Sequence, residues 1–243
     1  MIRTIVALLV LLLGGVTPAY AEGGTMTADG ISVTLDVGPV VFDGPGCTRV
    51  PWTMTYSKPD DFWLGVRWQL RQRGSNETSF DDVNMYSDSA GTVTKTTCVS
   101  ADKHLPSGGN YVLTAQIGED GSASGDILAS LPPVEIPTYT SRTRITRLRF
   151  HSNPAGNPYV RGRVRARTSS GERIGASGTI EIYVRRHGIW ARVGSLLGFD
   201  LDSQGWFEHT FLFSNVRRGE KIQARLVGCH WCTDARRVTV VQR

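Results

Sequence analysis

The chain has 243 residues, with 27 basic against 22 acidic side chains and a formal net charge of +5. Its long apolar run lies near the N-terminus and no second hydrophobic segment occurs near the C-terminus, so nothing after the leader is a candidate membrane anchor. The length suits two domains of about 100 residues better than one large core.

Arg3 precedes an apolar run from Ile5 to Val16, too short to span a bilayer comfortably, and Ala19-Tyr20-Ala21 places small side chains where a signal peptidase needs them. Met1 to Ala21 is therefore expected to be a removed signal peptide, with the mature protein starting at Glu22. No cysteine follows the run for lipid attachment, which predicts a secreted protein, released or held non-covalently at the cell surface. Four cysteines in an exported chain predict two disulfides. Three pairings are possible, and sequence distance favours Cys47 with Cys98 and Cys229 with Cys232. Closing the longer loop would stabilise the fold by about 4 kcal/mol on a chain-entropy model.

Apolar and polar residues alternate in Val33 to Val37, Val50 to Tyr56, Leu64 to Arg71, Thr92 to Cys98 and Tyr111 to Ile117. Gly44-Pro45-Gly46, Lys58-Pro59-Asp60-Asp61, Gly74-Ser75-Asn76 and Ser107-Gly108-Gly109-Asn110 separate them as turns. No amphipathic helix of useful length interrupts, so the pattern predicts an all-β sandwich or barrel. Leu131 to Pro137 carries three prolines, which cannot donate to a sheet ladder, and reads as an edge strand ending in a stiff connector.

Strand patterns restart at Ile145 to Phe150, Val160 to Arg167, Thr179 to Arg185, Trp190 to Leu196, Trp206 to Phe213, Lys221 to Val227 and Arg237 to Val241. The boundary is placed near Thr138 to Arg142, giving domains at 22–137 and 138–243. Residues 1–139 hold 8 basic against 15 acidic groups (−7) and residues 140–243 hold 19 against 7 (+12), an acidic half joined to an arginine-rich one. Within the latter, Arg161, Arg163, Arg165 and Arg167 recur at period two, so one strand sets all four guanidinium groups on one face. Arg147 and Arg149 alternate with Leu148 and Phe150 in the preceding strand, and the six together predict an outward surface for a polyanion. The plainer reading is a solvated face neutralised by Glu208, Glu172 or the acidic domain.

Cys229-His230-Trp231-Cys232 has thioredoxin-like spacing but lies between strands instead of opening a helix, and reads as a disulfide clamping a hairpin. Zinc would need two further ligands, and His230 with a distant His209 makes a weak set. Asp200 to Gly205 begins like a calcium loop but has Phe211 where the bidentate glutamate belongs, and reads as a turn; Asp60-Asp61 and Asp81-Asp82 read as solvated loop acids. Nucleophile elbow, zinc-protease and phosphate-loop motifs do not occur, and His104, His151, His187, His209 and His230 are scattered. Asn76-Glu77-Thr78 fits a glycosylation acceptor.

Val160-Arg161-Gly162-Arg163-Val164, Thr179 to Arg185, Trp190-Ala191-Arg192-Val193 and Asp202-Ser203-Gln204-Gly205-Trp206-Phe207 together resemble the secreted bacterial immunoglobulin-like repeats of cell-surface proteins, over about Thr143 to Val241. The first half resembles them more loosely, through its strand order and Gly109-Asn110-Tyr111 at the entry to a sixth strand. Cys98 departs from the antibody pattern by preceding that strand, so a bridge from Cys47 would join two strands of one sheet and not pin two sheets. The resemblance implies two immunoglobulin-like sandwich domains in tandem, an extracellular setting, no catalytic residues and no cofactor. The function expected is a non-enzymatic binding or adhesion module docking on an anionic envelope polymer, a glycan or another protein. The alternatives are a structural envelope protein acting through self-association and, third, a hydrolase.

Overall fold

The computed structural model describes residues 21–241 except 77, 106–108, 120–125, 153–157, 197–200, 203, 211–215 and 218. The expected leader lies outside the described residues apart from Ala21, as do Glu77 of the glycosylation triplet and Asp200, Ser203 and Phe211 around the acidic turn. The described chain is all-β, with a 3-10 turn at Ala101–Lys103.

In the first half, β1 (Glu22–Ala28), β2 (Ile31–Val37), β4 (Cys47–Ser57) and β7 (Ala90–Ser100) form one antiparallel sheet in that order. The second sheet runs β6 (Thr78–Met85), β5 (Leu64–Gln72), β8 (Tyr111–Glu119), β9 (Ile127–Ile136). Alternation along β2, β4, β5 and β8 turns Leu35, Met54, Leu70 and Leu113 into a shared core, each such side chain contributing about 1.5–3 kcal/mol. Trp52 of one sheet meets Trp68 of the other edge to face, ring centroids 5.3 Å apart. The indole N–H of Trp52 donates to Thr97 Oγ1 at 3.1 Å, whose hydroxyl donates to Asp81 at 3.2 Å.

Cys47 and Cys98 are bonded, and Cys229 with Cys232. Cys47 sits opposite Ser100 and Cys98 opposite Arg49, so the longer bridge staples two neighbouring strands of one sheet on its exposed face, and the tryptophan pair occupies the space between sheets. On β9 the register slips between Leu113 and Ala115, which leaves Pro132 and Pro133 together opposite Thr114, a bulge where missing N–H groups break no ladder.

The second half places β11 (Arg142–Ser152) beside β12 (Pro158–Arg167), with β13 (Arg173–Gly175) and β16 (Trp206–Thr210) both on the far edge of β12. The facing sheet runs β15 (Ile189–Leu196), β14 (Thr179–Arg186), β17 (Lys221–Val227), β18 (Ala235–Val240). Ile145, Phe150, Val160 and Val164 are buried in the first of these sheets, and Ile182, Val184 and Leu226 in the second. Gly162 is opposite Phe207, and a Cβ on it would meet that ring at 2.3 Å, so the glycine of one strand and the phenylalanine of another fit as a pair.

Sequence patterning did not give β1, β3 (Val40–Phe42), β6 or β13. β1 buries Met26 alone, and β3 and β13 are three residues long, too short for a period to register. The connector is itself a strand, β10 (Thr138–Thr140), zipped parallel to β3.

Candidate functional site

The outward face of β11 and β12 is a lattice of arginine. Arg142 is opposite Arg167, Arg144 opposite Arg165, Arg147 opposite Arg163 and Arg149 opposite Arg161, four cross-strand pairs. The residues between them, Thr143, Ile145, Leu148, Gly162, Val164 and Ala166, point into the core. Arg173 continues the last row beyond Arg167. The six arginines singled out in the sequence are therefore brought together, and Arg142, Arg144 and Arg173 join them. Arg144 and Arg147 are three apart, which breaks the period of two. A bulge between Ile145 and Arg147 restores the phase, and Arg237 of β18 closes it by donating to the carbonyls of Ile145, at 2.9 Å, and Thr146.

Opposed strands hold directly facing Cβ atoms about 4.5–5.5 Å apart, and like charges there repel. At Arg163 desolvation first, and then the charges of Arg165 and Arg147, lower the pKa, with Asp202 opposing. Its guanidinium donates to the backbone carbonyl of Gln204 at 2.9 Å and to the Gln204 side chain at 3.2 Å. Among the described residues one carboxylate, Glu208, ion-pairs with the lattice, 3.7 Å from Arg161. Glu172 makes no such pair, so the neutralisation that a plain solvated face would use is partial.

Trp206, opposite Arg163 on β16, lies under three guanidinium groups: Arg161 at 4.8 Å, Arg163 at 5.1 Å and Arg147 at 5.8 Å from its ring. The turn before it is held by Asp202, whose carboxylate accepts the N–H of Gln204 at 2.9 Å and of Trp206 at 2.8 Å. Gly205 closes that turn at φ 77°, and a Cβ there would lie 1.9 Å from the carbonyl oxygen of Val164. Asp202 thus serves the turn that presents Trp206. Asp82 pairs with Arg67 at 2.7 Å on its own sheet.

The lattice ends at the junction of the two halves. Ser141, next to Arg142, donates its N–H to Phe42 O at 3.1 Å and Trp231 O at 3.2 Å, its hydroxyl donates to Phe42 O at 3.1 Å, and its own carbonyl accepts Thr233 N–H at 2.9 Å. Cys229, Trp231 and Cys232 are buried in this junction, with Trp231 donating to Ser177 at 2.9 Å. The disulfide turn thus connects β17 to β18, as the spacing suggested, and also grips the connector. On the other side His230 Nδ1 lies 2.8 Å from the His104 carbonyl oxygen. His104 is packed against Phe42 at 4.5 Å, and burial, then the neighbouring His230, lowers its pKa to about 4. Sequence reasoning listed these histidines as scattered, because the chain separation of 126 residues hides their meeting.

The chain is similar to a crystal structure of a tetra-tandem repeat in the extending region of a large adhesion protein, at 10% identity and a TM-score of 0.42, over 93% of this chain and 67% of that one. It is also similar to a bacterial adhesin from Mobiluncus mulieris containing intramolecular disulfide, isopeptide and ester bond cross-links, at 8% identity and a TM-score of 0.26, over 84% of this chain and 80% of that one. No family model and no curated protein matches it.

Proposed function

We propose that the mature protein is an exported, non-enzymatic binding or adhesion module, and that the arginine lattice docks it on an anionic envelope polymer or glycan. The reading divides the chain into two immunoglobulin-like sandwiches, 22–137 and 138–243, with the lattice on the second. Two facing antiparallel sheets in each half support that division. The observation that carries the function is four facing arginine pairs with one ion-paired carboxylate among the described residues. A guanidinium donates and never accepts, so neighbours cannot satisfy one another, and a multivalent anion relieves both their repulsion and their unused donors.

The test is retention of the mature protein on immobilised dextran sulfate. Wild type is expected to bind at low salt and elute as salt rises, while a variant carrying Arg161→Ala, Arg163→Ala, Arg165→Ala and Arg167→Ala flows through. Equal retention of the two overturns the proposal.

The charge split of −7 against +12 favours a second reading, in which acidic and basic halves of different copies associate. Sedimentation velocity at low salt checks it, since concentration-dependent oligomers are its required outcome and a strict monomer removes it.

A further inference from the structure

At its junction end the lattice opens into a groove of about 1230 Å³ between the two halves. Arg142 and Arg167, the last facing pair, line one wall, and Arg49 of β4 enters from the other. The groove's acids are Asp43 and Glu22. Asp43 is already engaged, accepting the Ser169 N–H at 2.8 Å, the Ser169 hydroxyl and the Ser141 hydroxyl at 3.5 Å. Among the described residues none of the three guanidinium groups in the groove has an ion-pair partner.

Tyr139 lies along this groove and is 56% exposed. It contrasts with Trp206. Three guanidinium groups cover the tryptophan, whereas among the described residues none stacks on Tyr139. The tyrosine is also held in place, because β10 is paired with β3 on one side and the next residue but one, Ser141, is bonded to both halves. A fixed aromatic face beside three guanidinium forks suits a ring with an apolar face and an anionic substituent. A bare chain of phosphates has the charge without the ring.

We infer that this groove binds one sugar unit of an acidic polysaccharide, its ring on Tyr139 and its carboxylate or sulfate on Arg49, Arg142 and Arg167, with the chain continuing over the lattice. The inference rests on the polyanion reading above and narrows it to a charged glycan. Preorganised walls reduce the ordering that binding must impose.

The experiment titrates the mature protein with heparin oligosaccharides, with polygalacturonate oligosaccharides, with inorganic polyphosphate and with a single-stranded oligo-dT, using wild type, Tyr139→Ala, Tyr139→Phe and the fourfold arginine variant. Heparin reports sulfate and polygalacturonate reports carboxylate. Tyr139→Ala is expected to weaken at least one of the two glycans by about tenfold and leave polyphosphate unchanged, and Tyr139→Phe, which keeps the ring, to bind that glycan within about twofold of wild type. Wild-type glycan affinity in Tyr139→Ala overturns the inference, as does tighter binding of polyphosphate or oligo-dT than of both glycans. If the fourfold variant loses binding while Tyr139→Ala keeps it, the polyanion reading stands and the glycan inference falls; if wild type binds none of the probes, both fall.

Discussion

The outer face of β4 and β7 and the outer face of β11 and β12 share one geometry and are filled in opposite ways. Each is an antiparallel pair turning alternate side chains to solvent. On the first, Thr53 faces Thr94 with hydroxyls 3.2 Å apart and Thr55 faces Thr92 at 3.4 Å. A hydroxyl both donates and accepts, so such pairs complete their own bonding. On the second, arginine is opposite arginine in four cross-strand pairs. The threonine face completes its bonding on folding, whereas the arginine face sets like charges opposite one another.

The threonine face rests on the tryptophan contact between the two sheets. Trp52→Ala removes the inter-sheet contact with Trp68 and the donor to Thr97, and a loss of about 3–5 kcal/mol is expected in urea unfolding, with dextran sulfate affinity unchanged under native conditions. A loss under about 1 kcal/mol would mean that the pair does not hold the sheets together.

Acid acts next, at the junction between the regions. His104 has a folded pKa of about 4 against an ordinary 6.5, so the unfolded chain binds the extra proton. Its contribution is complete above pH 6.5, is lost as pH falls towards 4, and amounts to about 1–3 kcal/mol. Urea midpoints at the two ends of that window check it, and His104→Phe should flatten the difference.

Arg237→Met tests how the lattice is kept in phase. Two carbonyls of the β11 bulge lose their donor, which is expected to cost about 1–2 kcal/mol and to weaken polyanion binding through Arg144 and Arg147. Unchanged stability and affinity would show that the bulge holds itself.

Added salt should stabilise the ligand-free protein by under about 1 kcal/mol through screening of the arginine face. Arg144→Thr with Arg165→Thr, which sets a threonine pair into that face, should reduce the gain in thermal unfolding; an identical salt response in wild type and variant would count against charge crowding.

What could be read from the sequence follows the same division. Period two is local, so Arg161 to Arg167 declared their common face and the β4 and β5 cores declared theirs. Cys47 with Cys98 followed from chain distance, which keeps each pair within one expected domain. Arg142 and Arg144 stayed hidden because their phase depends on a bulge closed by Arg237, 92 residues from Ile145. The groove was illegible for the same reason: Arg49, Tyr139 and Arg167 share no periodicity and meet only when the connector pairs with β3. The disulfide turn was read as a clamp, and its second contact, with Ser141, depends on how two distant stretches pack.

Anion binding by the arginine face is decided by titrating dextran sulfate into wild type and into the fourfold Arg161, Arg163, Arg165 and Arg167 to Ala variant at several salt concentrations. Log affinity should fall linearly with log salt in wild type, and the slope should shrink by roughly 3–4 in the variant as those contacts disappear. The same slope and affinity in both proteins would contradict it.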